Sequence, residues 1–483
     1  MTVDLLNQNN IRLLKTLEQQ TSQYTQKTSL EYKKKLGQFF TDHRIANFMA
    51  GLFSFKVSTS NKIEVLDCGA GHGILSIALI TKLVQQGYKK INLTLYDLDS
   101  NIIEILNNNI KSWENAHPYI DFTYKIIQKN FIIDNINKKF DFIISNPPYF
   151  KLNKNSPETK VMSHIIHGQP NIYMLFMAKG IDLLKKHGEM VYITPRSFTS
   201  GTYFKKFREY LLKNATLEHI HIFNTRKEHF KNENILQETI ISKFSKSSSY
   251  TITISTSEDS SFKSIQSINI SKESIIEKRR NIICLPLSND EVEILKIFHD
   301  EYNTIETLGY KISTGKVVAF RNKEFLSFSK QNKIDSKRKY VPLLWMHNFK
   351  NEHLQFPLEN KKKEQYIELC KNTKSLLIPN KNYIIIKRFS SKEQYRRINI
   401  GYLFQNKLNT EFLGLENHLN YLYKPNGSLS IDEMLKLGKF LSSKEVDQYF
   451  RILNGNTQVN ATDILNLPIP KQLYEGSTHV MSN

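Results

Sequence analysis

Asn146-Pro147-Pro148-Tyr149 is the stretch whose residue types and spacing point most directly to chemistry. Two prolines fix φ twice and remove two N–H donors, so the turn is stiff and presents oxygen acceptors without competing donors. The Asn146 side-chain oxygen and the Pro147 carbonyl could take both protons of a planar amino group, which draws its lone pair out of conjugation and makes the nitrogen nucleophilic. Tyr149 offers a ring for stacking a base or other planar group. The plainer alternative is an Asn-Pro turn leaving a strand.

A second site is expected at Asp67-Cys68-Gly69-Ala70-Gly71-His72-Gly73, which follows a buried strand and precedes an apolar helix. Glycines let the backbone approach a ligand there, and ligands of open α/β sheets sit beyond the carboxyl ends of the strands. A tight connection with no ligand is the competing reading. The glycines alternate and do not form G-x-G-x-x-G, and a carboxylate at the turn would repel a diphosphate but welcome a cation. A sulfonium or amine-bearing nucleoside fits that charge. Asp97 ends the next strand, where a carboxylate would receive two ribose hydroxyls; its spacing from Asp67 exceeds the roughly 20 residues of the dinucleotide fingerprint. Its alternative is an N-cap for the helix that begins at Ser100.

These residues need a sheet to hold them. From Glu64 to Pro195 apolar runs (64–67, 91–96, 124–127, 140–145, 189–194) alternate with helical patterns such as Ile74 to Val84, and strands buried on both faces between helices predict a doubly wound α/β sheet. Residues 1–30 read as an N-terminal helical arm and 31–245 as the domain carrying both turns. Beyond the serine run 247–249 the βα rhythm stops, and residues 246–483 mix short strands (Val317 to Phe320, Tyr383 to Ile386) with helices at Ile431 to Leu441 and Lys444 to Leu453. A mixed α+β domain is expected there.

Composition selects the partner. Lys plus Arg number 67 and Asp plus Glu 46 among 483 residues, a formal charge of +21, which favours a polyanion. No stretch approaches the roughly 18 apolar residues that span a bilayer, the polar N-terminus is unlike a signal peptide, and no lipidation motif is present, so a cytoplasmic protein working on nucleic acid is expected. Cys68, Cys284 and Cys370 are too scattered for a disulfide framework or a metal site, and no metal is expected.

Together the motifs resemble the S-adenosylmethionine-dependent amino-methyltransferases, and their order is similar to the gamma group of N6-adenine DNA methyltransferases. Leu36-Gly37-Gln38-Phe39-Phe40-Thr41 resembles the N-terminal cofactor motif, which implies that Phe40 and Thr41 lie near the methionine part. Asp67, Gly69 and Gly71 match the first sheet motif, Asp97 the ribose acid, and Asn130-Phe131 the motif at the cofactor adenine, where the family usually carries Asp in place of Asn130. Asn171-Ile172-Tyr173-Met174-Leu175-Phe176 and Ile193-Thr194-Pro195-Arg196 resemble segments flanking the catalytic pocket. Phe230 matches an aromatic that stacks on the flipped target base, with a core Phe as its alternative.

Farther on, Ser313-Thr314-Gly315, Arg388-Phe389-Ser390, Leu415-Glu416-Asn417-His418, Tyr449-Phe450-Arg451 and Asn454 to Thr462 resemble the target-recognition half of BsuBI/PstI-type modification methylases. Structural uses compete for these residues: an Asn454-Gly455 turn, or Arg451 paired with a carboxylate. The resemblance implies methyl transfer from S-adenosylmethionine to N6 of adenine in duplex DNA by base flipping, with Asn146, Pro147, Pro148, Tyr149 and Phe230 at the target, and a cognate restriction endonuclease as functional partner of a monomer. N4-cytosine methylation, and glutamine or RNA methylation by enzymes sharing the tetrapeptide, are the alternatives. C5-cytosine chemistry is disfavoured because none of the three cysteines follows proline.

Overall fold

The computed structural model describes residues 14–19, 41–55, 62–224, 239–301, 303–330, 338–359, 363–391, 394–454, 458–471 and 474. It divides into two compact units, Met1–Asn289 and Asp290–Asn483. Among the described residues no helix is long and apolar enough to cross a membrane.

Unit 1 is built on a nine-stranded sheet in the order β3-β2-β1-β4-β5-β7-β6-β8-β9. Its strands are β1 (Ile63–Asp67), β2 (Lys90–Tyr96), β3 (Asp121–Ile127), β4 (Phe140–Ser145), β5 (Leu184–Pro195), β6 (Thr216–Phe223), β7 (Thr239–Ser245), β8 (Thr251–Ser257) and β9 (Ile265–Ser271). The first five are parallel, and β7 runs antiparallel to both β5 and β6. The chain winds outward from β1 to β3 and then returns to place β4 on the other side of β1. Outward winding from β1 on one side and return on the other make a switch point, with Asp67 opposite Ile144.

Helices α1 (His43–Gly51), α2 (Ile74–Gln85) and α3 (Ser100–Ala116) share a core with β1 and β2 through Met49, Ile77, Leu79, Leu106 and Trp113. Leu14 and Leu17 join the same cluster from helical residues 14–19, and His43 Nδ1 lies 2.5 Å from Glu18. The described part of the expected arm is thus packed into unit 1.

The change of texture after residue 245 does not end the sheet. Although β8 and β9 carry polar residues on alternate positions, β8 pairs parallel with β6 and antiparallel with β9, extending the sheet on its far edge. Only β9 is an edge strand and largely exposed; β8 lies between β6 and β9, and its Ser255 and Ser257 are buried where they bond His219 and His221. The boundary between compact units therefore falls after Asn289, beyond the expected 245.

Unit 2 is mixed α+β as expected, with a six-stranded and a five-stranded sheet, and its helices include Ile431–Leu441 and Lys444–Leu453. The strand expected at Val317 to Phe320 is instead one bridge, Val317 to Glu416, followed by a turn. The amides of Arg321 and Asn322 donate to the Val318 carbonyl, and Asn322 Oδ1 accepts from Val318 N at 3.0 Å. An asparagine that satisfies the backbone locally competes with ladder formation, and here the turn wins.

Candidate functional site

The two turns singled out in the sequence lie side by side. Asp67 and Asn146 follow neighbouring strands, and a Cβ added to Gly69 would stand 3.7 Å from the Asn146 carbonyl oxygen. Gly71 and Gly73 have φ of 52° and 87°, the left-handed region that disfavours other residues.

Asp67 is fully buried and accepts from Ser76 Oγ at 2.6 Å and more weakly from Gly69 N at 3.4 Å. Burial pushes its carboxyl up to about 7 against those two bonds, and Asp97 adds to the rise. The Asp97 carboxyl is also raised by burial, opposed by hydrogen bonds from the backbone at Asp99 and Gly71. Its Oδ2 accepts from Gly71 N at 2.8 Å and its Oδ1 from Asp99 N at 2.9 Å, so it ties the end of β2 to the glycine turn. The N-cap of α3 is Asp99, which accepts from Asn101 N at 3.0 Å, so the capping role considered for Asp97 belongs to its neighbour.

A testable consequence follows from Asp67. The folded carboxyl titrates near 7 and the ordinary one at 3.8, so between those values the folded state keeps a proton that the unfolded state has released. That contribution to stability is full below the lower value and lost as pH rises through the upper one. Asp67→Asn, which cannot ionise, is expected to gain stability relative to the unsubstituted chain as pH goes from about 4 to about 8. Paired melting curves across that range check it; a difference that does not change with pH contradicts the assignment.

The Asn146 amide is held between two hydroxyls: Nδ2 donates to Thr41 Oγ1 at 3.1 Å, and Oδ1 accepts from Tyr149 OH at 2.6 Å. The Tyr149 hydroxyl also lies 2.8 Å from the Ile193 carbonyl, and its ring meets Tyr173 edge-on at 6.2 Å. Lys151 is bridged to Asn171, and Ile172 N donates to the Phe150 carbonyl. The segments containing Asn171 to Phe176 and Ile193 to Arg196 thus flank the tetrapeptide. Pro147 is buried and Pro148 half-buried, consistent with a rigid support under Asn146.

Asn130 accepts from Ile132 N at 3.0 Å and donates to Glu158 Oε1 at 2.7 Å. A carboxylate therefore stands beside the residue whose lack of charge departs from the family pattern. Sequence reading missed Glu158, which lies 28 positions away in a short helix, Pro157–Val161. Phe131 is buried against Tyr96 and Phe176, with the Lys179 ammonium 5.2 Å from its ring. Sequence reading also missed Ser76 and Lys179, whose Nζ donates to the carbonyls of Ile132 and Asp134 at 2.9 and 2.6 Å. Phe40 and Phe230 lie outside the described residues.

In unit 2 the polar residues expected to meet DNA are largely engaged internally. Thr314 Oγ1 donates to Asn420 Oδ1, and Arg388 Nη1 to the Asn417 carbonyl. Arg451 Nε donates to Asp447 at 2.6 Å, so the carboxylate pairing considered for it is realised, and Asn454 Nδ2 donates to Asp463 and the Gln458 carbonyl; the turn considered at Asn454-Gly455 lies outside the described residues. Gly315 crosses the 415–419 segment so closely that a Cβ would lie 2.4 Å from the Glu416 carbonyl oxygen.

Comparison with known proteins agrees with these features. The family described as Eco57I restriction-modification methylase matches residues 72–230. The chain is similar to the type II methyltransferase M.BsuBI of Bacillus subtilis, 35% identical over 95% of this chain and 92% of that one. It is also similar to M.PstI of Providencia stuartii, 32% identical over 93% and 90%. The fold is similar to that of the type IIL restriction-modification enzyme MmeI, solved in complex with DNA, with a TM-score of 0.56, 14% identity and coverage of 97% of this chain and 69% of that one.

Proposed function

The chain belongs to the type II DNA methyltransferases of restriction–modification systems, and from that membership we propose that it methylates N6 of adenine in a short duplex sequence, with the target base turned out of the helix. Its cofactor is S-adenosyl-L-methionine. The residues present fit that group: Gly69 leaves room beside the Asn146 carbonyl, and Asp97, tied to the glycine turn through Gly71 N, offers oxygen acceptors there for hydroxyl donors. When bound, the cofactor supplies an electrophilic methyl on a sulfonium.

The remaining work falls to the chain. Asn146 Oδ1 and the Pro147 carbonyl accept the two amine protons, while Pro148 keeps the turn from yielding. Tyr149, with Phe230, holds the extruded base by its faces. Gly71 and Asp97 receive the ribose, Asn130 and Phe131 line the adenine end, and Phe40 and Thr41 stand at the methionine end. Thr41 is also bonded to Asn146, so cofactor and target contacts are coupled through one hydroxyl. Unit 2 is the target-recognition half, the protein acts as a single copy, and a cognate endonuclease is its functional counterpart.

The observation that supports this reading most is the pairing of β1 with β4 at the switch point, which sets the glycine turn against Asn146. The test is transfer of tritiated methyl to duplex DNA followed by nucleoside analysis. N6-methyladenine is expected; N4-methylcytosine, or label in RNA or protein only, refutes the proposal.

A further inference from the structure

With Thr314, Arg388, Arg397, Arg451 and Asn454 engaged inside unit 2, residues that read DNA must be sought among those left outside. Two large aromatics stand out. Phe320 is 80% exposed and Tyr395 90% exposed, each outside any helix or strand. Arg321 lies over the Phe320 ring at 5.4 Å and Arg396 over the Tyr395 ring at 5.7 Å.

Both loops are fixed from within. The 318–322 turn is closed by the Val318 and Asn322 bonds already described. The other is clamped from below: Arg451 Nη2 donates to the carbonyls of Gln394 and Tyr395 at 2.7 and 3.3 Å. Beside it, the fully buried Arg397 donates to Ser390 Oγ and the Asn454 carbonyl.

Both also spring from the same place. Val317 is bridged to Glu416 and accepts from Asn417 N, while Arg388 N donates to the His418 carbonyl and the Phe389 ring meets His418 at 5.1 Å. The loops leave opposite flanks of residues 416–418. The ordering cost of a contact surface is met here in advance by buried bonds, while the rings themselves remain in water.

We propose that Phe320–Arg321 and Tyr395–Arg396 are paired DNA contacts of unit 2, the rings packing on bases or thymine methyls and the guanidinium groups meeting phosphate or guanine edges. This rests on the functional reading above. Two features select a duplex over an apolar partner: residues 316–323 carry Lys316, Arg321 and Lys323 and no acid, and Arg396 beside the Tyr395 ring lies 3.8 Å from the part-exposed Glu352, a surface ion pair that phosphate can replace. The loops' role is affinity and site choice, not methyl transfer.

The experiment measures methylation of plasmid DNA by the full-length protein. Phe320→Ala and Tyr395→Ala together should raise KM for DNA about 10-fold or more, with kcat within about twofold, because each removes apolar area that the contact would bury. Melting temperature and cofactor affinity should not change, and Tyr395→Phe should retain the unsubstituted KM. Arg321→Ala and Arg396→Ala should each lower the slope of log affinity against log salt by about one. Unchanged KM and salt slope in these folded variants overturn the inference while leaving the functional reading intact. A shift in oligomeric state on losing the rings also overturns it, assigning the surface to a second copy of the chain. If the unsubstituted protein is inert on plasmid DNA, the functional reading fails and takes this inference with it.

Discussion

Asn146→Ala is expected to lower methyl transfer to duplex DNA by about 10²–10³-fold or more, the loss that follows removal of one preorganised polar group acting on the reacting atom. Its amide is held by Thr41 on one side and Tyr149 on the other, so the oxygen is set before substrate arrives. Truncation leaves the half-buried Tyr149 hydroxyl its bond to the Ile193 carbonyl and removes one donor from the buried Thr41 hydroxyl, a cost of about 1–3 kcal/mol that the fold should survive. The measurement is tritiated methyl incorporation at saturating cofactor and DNA, with melting temperature and DNA affinity as controls. A variant that turns over like the unsubstituted chain would remove Asn146 from the mechanism.

Gly315→Ala should have the largest effect on stability, a loss of about 3 kcal/mol in unit 2. The added carbon would stand 2.4 and 2.5 Å from the carbonyl oxygens of Glu416 and Leu415, and these are backbone atoms of paired strands. Gly315 N donates to the Leu419 carbonyl and Val317 N to that of Leu415, so neither strand can withdraw without breaking the other's bonds. For a unit of this size the loss corresponds to a melting shift of roughly 6–12 °C. Calorimetry should show the transition assigned to unit 2 moving while cofactor binding by the remainder persists. An unshifted transition would mean that the 415–419 segment yields more easily than its hydrogen bonds imply.

The same glycine shows where sequence reading reaches and where it stops. Ser313-Thr314-Gly315 was legible as part of a family pattern, but the reason for the glycine is a strand crossing about 100 residues later in the chain, which no local spacing encodes. Arg451 and Asn454 carry the side chains that read bases, and only their partners, Asp447 and Asp463, reveal internal use. Strands β8 and β9 read as a different domain because an alternating pattern does not say which sheet a strand joins. Glu158 was invisible for the same reason: a lone acid in a short helix acquires meaning from Asn130 alone.

By itself the sequence determined the parallel core, since buried strands between helices admit few topologies, and it determined the two turns, since glycine at positive φ and paired prolines are requirements of the local backbone. It also carried the chemistry of Asn146, a property of the side chain. Tertiary structure alone decided which group touches which: that Thr41 and Tyr149 grip Asn146, that Asp99 caps α3 while Asp97 serves the glycine turn, and that Phe320 and Tyr395 are left outside. The division has a physical cause. Backbone preference and hydrophobic period act over a few residues and are written in order along the chain, whereas hydrogen-bond partnership and burial depend on distance in space, which the chain order does not record.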